Sequence, residues 1–259
     1  MIELHNVALD IGGRVLLEGI DAHVDSGEFV AVLGPNGVGK TTLLRTIDGL
    51  HRHVGGTITV AGRDFSSLTP AERARRVAFV TSDDELTDAL SVRDVVATGR
   101  FSHHRWWQWS TTPEDERAVT RALEAVRMEG FGDRLFSTLS SGERQRVWIA
   151  LGLAQEAPVM LLDEPTSHLD VRVAHQILAL LRSLAAAGKT IVCVLHDLND
   201  AAAYADRIAL LGCGRLLAFD TPDAVLASGG IEEAYGIEME RVRLNDGRLR
   251  VFARESEER

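Results

Sequence analysis

With 259 residues, 45% of them hydrophobic and 25% charged, the chain is long enough to bury a full α/β core and has an ordinary globular composition. It has no run of about eighteen or more apolar residues, so no segment is expected to span a membrane. Its 28 Lys plus Arg against 38 Asp plus Glu leave a net charge of −10, which argues against a nucleic-acid partner.

From the amino terminus, residues 2–33 read as antiparallel strands with turns at Ile11-Gly12-Gly13 and Asp25-Ser26-Gly27. Met1 runs directly into the alternating stretch Ile2–Val7 and leaves no room for a signal peptide. The last strand, Glu28–Leu33, reads as buried and leads into Gly34-Pro35-Asn36-Gly37-Val38-Gly39-Lys40-Thr41-Thr42, with a helix continuing over Leu43–Ile47. Thr57–Gly62 adds a strand, and Thr69-Pro70-Ala71-Glu72 combines an N-cap, an N1 proline and a capping-box glutamate. After the strand Val77–Val80 the pattern turns helical. Ser91 and Thr112 open two helices, the second carrying Val119, Ala122, Leu123 and Val126 on one face. Ser140 is an N-cap with Glu143 as its capping-box partner. Helices and strands then alternate, which implies a parallel sheet, and 237–254 reads as a closing hairpin around Asn245-Asp246-Gly247. Cys193 and Cys213 lie in apolar strand-like stretches and are expected to pack as small hydrophobes.

Two clusters carry chemistry. Residues 34–42 fit G-x-x-x-x-G-K-[ST], the loop that wraps nucleoside triphosphate phosphates. Gly34, Gly37 and Gly39 allow φ > 0 and close approach to an anion. The N–H groups of the loop and of the helix that follows converge on it. Lys40 supplies a charge for the β- and γ-phosphates, and the Thr41 hydroxyl a ligand for Mg²⁺. Downstream, the apolar run Val159–Leu162 ends in Asp163-Glu164. A buried acidic pair is costly unless it meets a cation or a proton-transfer task. Asp163 suits holding Mg²⁺ through water, and Glu164 suits polarising the attacking water.

Leu139-Ser140-Ser141-Gly142-Glu143 precedes that acidic strand, Ser167-His168-Leu169-Asp170 follows it, and His196-Asp197 closes the next strand, Val192–Leu195. With these motifs in this order, the chain resembles the nucleotide-binding domain of an ABC ATPase over residues 2–235, leaving 236–259 as a C-terminal hairpin and tail. The resemblance implies an α/β fold: a RecA-like P-loop core with an antiparallel β subdomain and a helical signature-motif lobe over roughly 85–150. It implies ATP and Mg²⁺ as cofactors, with Glu164, His196 and Lys40 as catalytic residues and His196 reaching the γ-phosphate. Ser140, Ser141, Gly142 and Glu143 would cap the nucleotide held by Lys40 of the partner subunit, so that a homodimer completes two sites. Asp170 would span the dimer interface, with N-capping of the helix from Val171 as the alternative.

Two positions depart from the family pattern. Ile11 stands where an aromatic residue often stacks on the adenine. Ser82, followed by Asp83-Asp84-Glu85, stands where a glutamine usually reaches Mg²⁺, and its hydroxyl would serve the metal only through water.

Gly99-Arg100-Phe101, the run Arg146–Gln155 and His196-Asp197-Leu198-Asn199 resemble importer ATPases of the iron-siderophore, haem and cobalamin group. That implies integral-membrane permease subunits as partners, an extracytoplasmic substrate-binding protein indirectly, and a place on the cytoplasmic face of the cell membrane. The alternatives are a soluble ABC ATPase acting on a cytosolic complex and the ATPase of an exporter. Trp106, Trp107 and Trp109 form either a permease-docking surface or a small core of the helical lobe.

Overall fold

The computed structural model describes residues 1–81, 89–104 and 111–254. Ser82 and the cluster Trp106, Trp107 and Trp109 lie outside these described residues.

Strands β1 (Ile2–Ile11) and β2 (Arg14–Val24) form the expected hairpin, and β4 (Gly55–Val60) and β5 (Arg63–Asp64) extend it into an antiparallel sheet ordered β2-β1-β4-β5. The third strand departs from the expectation for residues 2–33. β3 (Phe29–Leu33) leaves this sheet and pairs parallel with β8 (Thr190–Val194) and β9 (Arg207–Gly212). The reason is burial on both faces. Val30 and Val32 join the apolar cluster beneath β1, β2 and α1 (Lys40–Asp48), whereas Phe29, Ala31 and Leu33 join the cluster on the opposite face. An all-apolar strand of this kind belongs in a parallel sheet covered on both sides.

The central sheet runs β10-β9-β3-β8-β7-β6, with β6 (Val77–Val80) and β7 (Val159–Leu162) parallel to their neighbours and β10 (Arg215–Asp220) antiparallel at the edge. Helices α2 (Pro70–Ala74), α3 (Val92–Ala97), α4 (Pro113–Ala125) and α5 (Ser141–Ala154) begin at the expected caps Thr69, Ser91, Thr112 and Ser140, each closed by a capping box. α3, α4 and α5 pack on one another as the helical lobe. α5 also sits on the sheet, so tightly that a methyl at Gly152 would lie 2.7 Å from Cγ2 of Val80.

A buried ion cluster ties the lobe together. Arg100 and Asp115 are both buried, with Arg100 Nε donating to Asp115 Oδ1 at 3.0 Å and Nη1 to Glu156 Oε2 at 2.7 Å. His104 Nε2 lies 2.8 Å from Asp115 Oδ2, and the Thr112 N–H and hydroxyl donate to that same oxygen at 2.9 and 2.7 Å. Both flanks of residues 105–110 are therefore held by one carboxylate.

The chain continues through α6 (Val171–Ala186), α7 (Leu198–Tyr204), α8 (Pro222–Ala227) and α9 (Gly230–Tyr235). It closes with the hairpin β11 (Met239–Arg243) and β12 (Leu249–Ala253), whose Leu249 and Val251 are buried against α7 and α8. Cys193 is buried as expected, but Cys213 is exposed, because it falls in the β9–β10 turn with φ of 50°. Among the described residues, no helix is long and apolar enough to cross a membrane.

Candidate functional site

The site lies at the carboxyl ends of β3, β7 and β8, where chain reversals leave polar groups exposed above a buried sheet. β3 delivers Gly34 with φ of 150°, its α-carbon wedged against the carbonyl of Leu211 so that no side chain fits. Gly37 and Gly39 follow with φ of 78° and 114°, and Gly39 is the N-cap of α1. Val38 N–H donates to the Pro35 carbonyl at 3.3 Å, a turn within the loop.

Lys40 is buried, and its Nζ donates to the carbonyls of Gly34 at 2.7 Å and Pro35 at 3.1 Å. Burial lowers the proton affinity of its ammonium, against the pull of Glu164 and Asp163. Thr41 Oγ1 donates to Asp163 Oδ1 at 3.0 Å. Burial raises the Asp163 carboxyl, partly offset by that hydrogen bond. A hydroxyl and a carboxylate oxygen this close, beside a phosphate-binding loop, fit the all-oxygen ligand set of Mg²⁺.

Glu164 sits in the left-handed region with φ of 51°, a conformation that costs a non-glycine residue of the order of 1–3 kcal/mol and concentrates at functional sites. Its Oε1 lies 2.9 Å from His196 Nε2, and its Oε2 accepts from the Ser167 hydroxyl at 3.1 Å. Burial alone would raise this carboxyl, but His196, Ser167 and Lys40 outweigh it, and the group is held below the usual glutamate range. It is therefore ionised, as a general base must be.

Lys40, Glu164, Ser167 and His196 border a cleft of about 660 Å³, large enough for a nucleotide, which Ile11 and Leu16 also line. Asn36, Gly37, Gly39, Thr41 and Thr42 line it as well. Ile11 is exposed and adds an aliphatic surface to the lining.

Ser140, Ser141, Gly142 and Glu143 do not line this cleft. Ser140 caps α5 through the Glu143 N–H at 3.4 Å, while the Glu143 carboxylate accepts from the Ser140 N–H at 2.8 Å. Ser141 faces a second cleft, which shares Ser167 and His168 with the first. Asp170 N-caps α6, accepting from Val173 N–H at 2.9 Å.

Four contributors were not anticipated as site residues, the first being Ser167, which lines the cleft and donates to Glu164. Leu16 reaches the cleft from β2, and His168, with φ of 62°, lines it from the loop after Glu164. The Tyr235 hydroxyl accepts from the Gly34 N–H at 3.1 Å. The left-handed turn at His168 is the sort of detail its motif could have suggested, but no local pattern links Tyr235 to a loop so far away in sequence.

A family model described as ABC transporter matches residues 17–167. A hemin import ATP-binding protein of Streptomyces coelicolor is 44% identical over 225 residues, spanning 87% of this chain and 79% of that one. The ferric enterobactin transport ATP-binding protein of Escherichia coli is 37% identical, spanning 89% and 85%. Among solved structures, a metal-chelate type ABC transporter in an inward-facing conformation superposes with a TM-score of 0.85 at 26% identity, covering 98% of this chain and 97% of that one. A dimeric ATP-binding cassette in a post-hydrolysis state, bound to ADP and phosphate, superposes with a TM-score of 0.73 at 29% identity, covering 86% and 99%.

Proposed function

The chain belongs to the ABC transporter family of ATP-binding proteins, and on that premise we propose that it is the ATP-hydrolysing subunit of an importer for a haem, iron-siderophore or cobalamin-type cargo. The observation that supports the hydrolytic part is that Lys40, Thr41, Glu164 and His196 line one nucleotide-sized cleft, with Asp163 hydrogen-bonded to Thr41 at its edge. The names of the similar import proteins support the cargo class.

Phosphoryl transfer asks the protein for positioning and charge neutralisation. The loop N–H groups and Lys40 hold the phosphates, and Lys40 has only to exchange two loop carbonyls for phosphate oxygens. Mg²⁺ held at Thr41 and Asp163, with Ser82 contributing through water, would draw charge from the β- and γ-phosphates. Glu164 orients the attacking water and accepts its proton, while His196 steadies Glu164 and reaches towards the γ-phosphate.

The segment Ser140–Glu143 serves a second copy of the chain, offering a helix N-terminus to the γ-phosphate bound there. Asp170, on the same loop side as Ser167 and His168, borders that interface. Permease subunits hold the pair at the cytoplasmic face of the membrane, and an extracytoplasmic binding protein hands cargo to them.

The test is purification of the tagged chain from detergent-solubilised cells, with uptake of hemin, ferric siderophore and cobalamin measured in cells carrying Glu164→Gln. A co-purifying polytopic permease and loss of one uptake activity are the expected results. A soluble scaffold alone, with all three uptakes intact, overturns the reading.

A further inference from the structure

The C-terminal segment reaches the hydrolytic site from two directions. From α9, the Tyr235 hydroxyl accepts the Gly34 N–H, where the phosphate loop leaves β3. From β12, the backbone grips Asn199 in the first turn of α7: Asn199 Nδ2 donates to Val251 O and Val251 N–H donates to Asn199 Oδ1, both at 3.0 Å. Arg250 Nη1 adds a bond to the Asn199 carbonyl. Asn199 thus pairs with Val251 much as a neighbouring strand would, and the buried side chains of Leu249 and Val251 fix the hairpin behind it. The held turn is the one that Asp197 caps, its Oδ1 accepting from Asn199 N–H at 2.7 Å and Asp200 N–H at 2.8 Å. His196 immediately precedes that cap and stands 2.9 Å from Glu164.

We propose that Tyr235 and Asn199 are positioning residues through which the C-terminal segment 230–253 braces the phosphate loop and the His196 loop. The inference rests on the reading of Glu164 and His196 given above. The two braces act on different steps. A phosphate loop whose N–H groups already converge pays little ordering cost when the nucleotide arrives, so the Tyr235 bond acts on affinity. The Asn199 clamp sets the distance between His196 and Glu164, and a displacement of about 1 Å in such a pair can cost as much as about 100-fold in rate.

The experiment is steady-state ATPase kinetics and fluorescent ATP-analogue binding on the full chain, with thermal melting alongside. Tyr235→Phe removes only the hydroxyl. It is expected to raise KM and the analogue Kd by roughly 2- to 10-fold, the weight of one neutral hydrogen bond, with kcat held within about twofold. Asn199→Leu is expected to lower kcat by about tenfold or more with KM little changed. If Asn199→Leu does not fold, Arg250→Leu leaves the Asn199–Val251 pair in place while removing the bond to the Asn199 carbonyl, together with a charge near Asp200 and Asp246, and is expected to lower kcat in the same sense. Unchanged kinetics in both variants overturns the proposal, as does a parallel loss of kcat and affinity that simply follows the melting temperature. Glu164→Gln runs as a control: near-normal turnover there sinks the site reading itself, whereas a dead control beside a fully active Asn199→Leu sinks only the brace.

Discussion

His196 Nε2 stands 2.9 Å from Oε1 of Glu164, joining the loops that follow two adjacent parallel strands. The contact fixes the rotamer of a carboxylate whose backbone is already strained, and it helps to keep that carboxylate ionised. Glu164, proposed to accept a proton from water, is thus oriented by His196 and held in its charged form.

Replacing Glu164 by glutamine keeps its size and its hydrogen bond with Ser167 but removes the basicity. Turnover is expected to fall by about 10²- to 10⁴-fold while ATP binding persists. The arrested protein should then elute as an ATP-dependent dimer on gel filtration. Turnover close to wild type would show that another group activates the water.

Ser141 and Lys40 line different clefts of one chain, and Ser140, the N-cap beside Ser141, is absent from the Lys40 cleft, so the site is expected to be completed between chains. Lys40→Ala and Ser140→Arg should each be inactive alone. Mixed dimers of the two retain one undamaged site and should regain measurable ATPase activity. Mixed dimers that form but stay inactive would count against a shared site.

What could be foreseen from sequence was local. A glycine forced to φ > 0, a serine capped three residues on by a glutamate, and an apolar strand ending in two acids each carry their reason within a few residues, and these located the phosphate loop, the helix starts and Asp163-Glu164. The partners of β3 could not be foreseen, because β8 and β9 lie far along the chain and nothing in Phe29–Leu33 names them. Tyr235 and Asn199 escaped for the same reason. Cys213 was misjudged because its apolar neighbours hid a turn that depends on Gly214.

Asp115→Asn is expected to destabilise the fold by about 1.5–3 kcal/mol at neutral pH, since buried Arg100 would lose one of its two counter-charges and keep only Glu156. Burial opposes the Asp115 charge, but the bonds from Thr112, His104 and Arg100 outweigh it and hold the carboxyl well below its usual range. A depressed folded-state value gives stability that is complete above about pH 4, the unfolded value, and that drains away as pH falls towards the folded value. Urea unfolding at pH 7 and pH 3 checks this: the gap between the two proteins should narrow at the lower pH, and equal stability at pH 7 would refute it.

Asp48 behaves oppositely. It borders a cleft with Leu50, Val77 and Phe79, and burial pushes its carboxyl up to about 6 despite Arg73. The folded protein therefore holds this proton more tightly than the unfolded chain, and stability is lost as pH rises from about 4 to about 6. Asp48→Asn should be more stable than wild type at pH 8, by about 1–2 kcal/mol after allowance for partial exposure, with the gain gone near pH 4. Chemical denaturation at the two pH values decides it, and no gain at pH 8 would sink the assignment.

Because His104 and Thr112 converge on Asp115, the chain leaves and rejoins the helical lobe at a single anchored point. A segment inserted between such fixed ends can be rewritten or lengthened at the small entropic cost of a larger loop, each doubling adding only about 0.6 kcal/mol. The anchor at Asp115 therefore fixes where the chain leaves and re-enters the lobe, whatever the length of chain between His104 and Thr112.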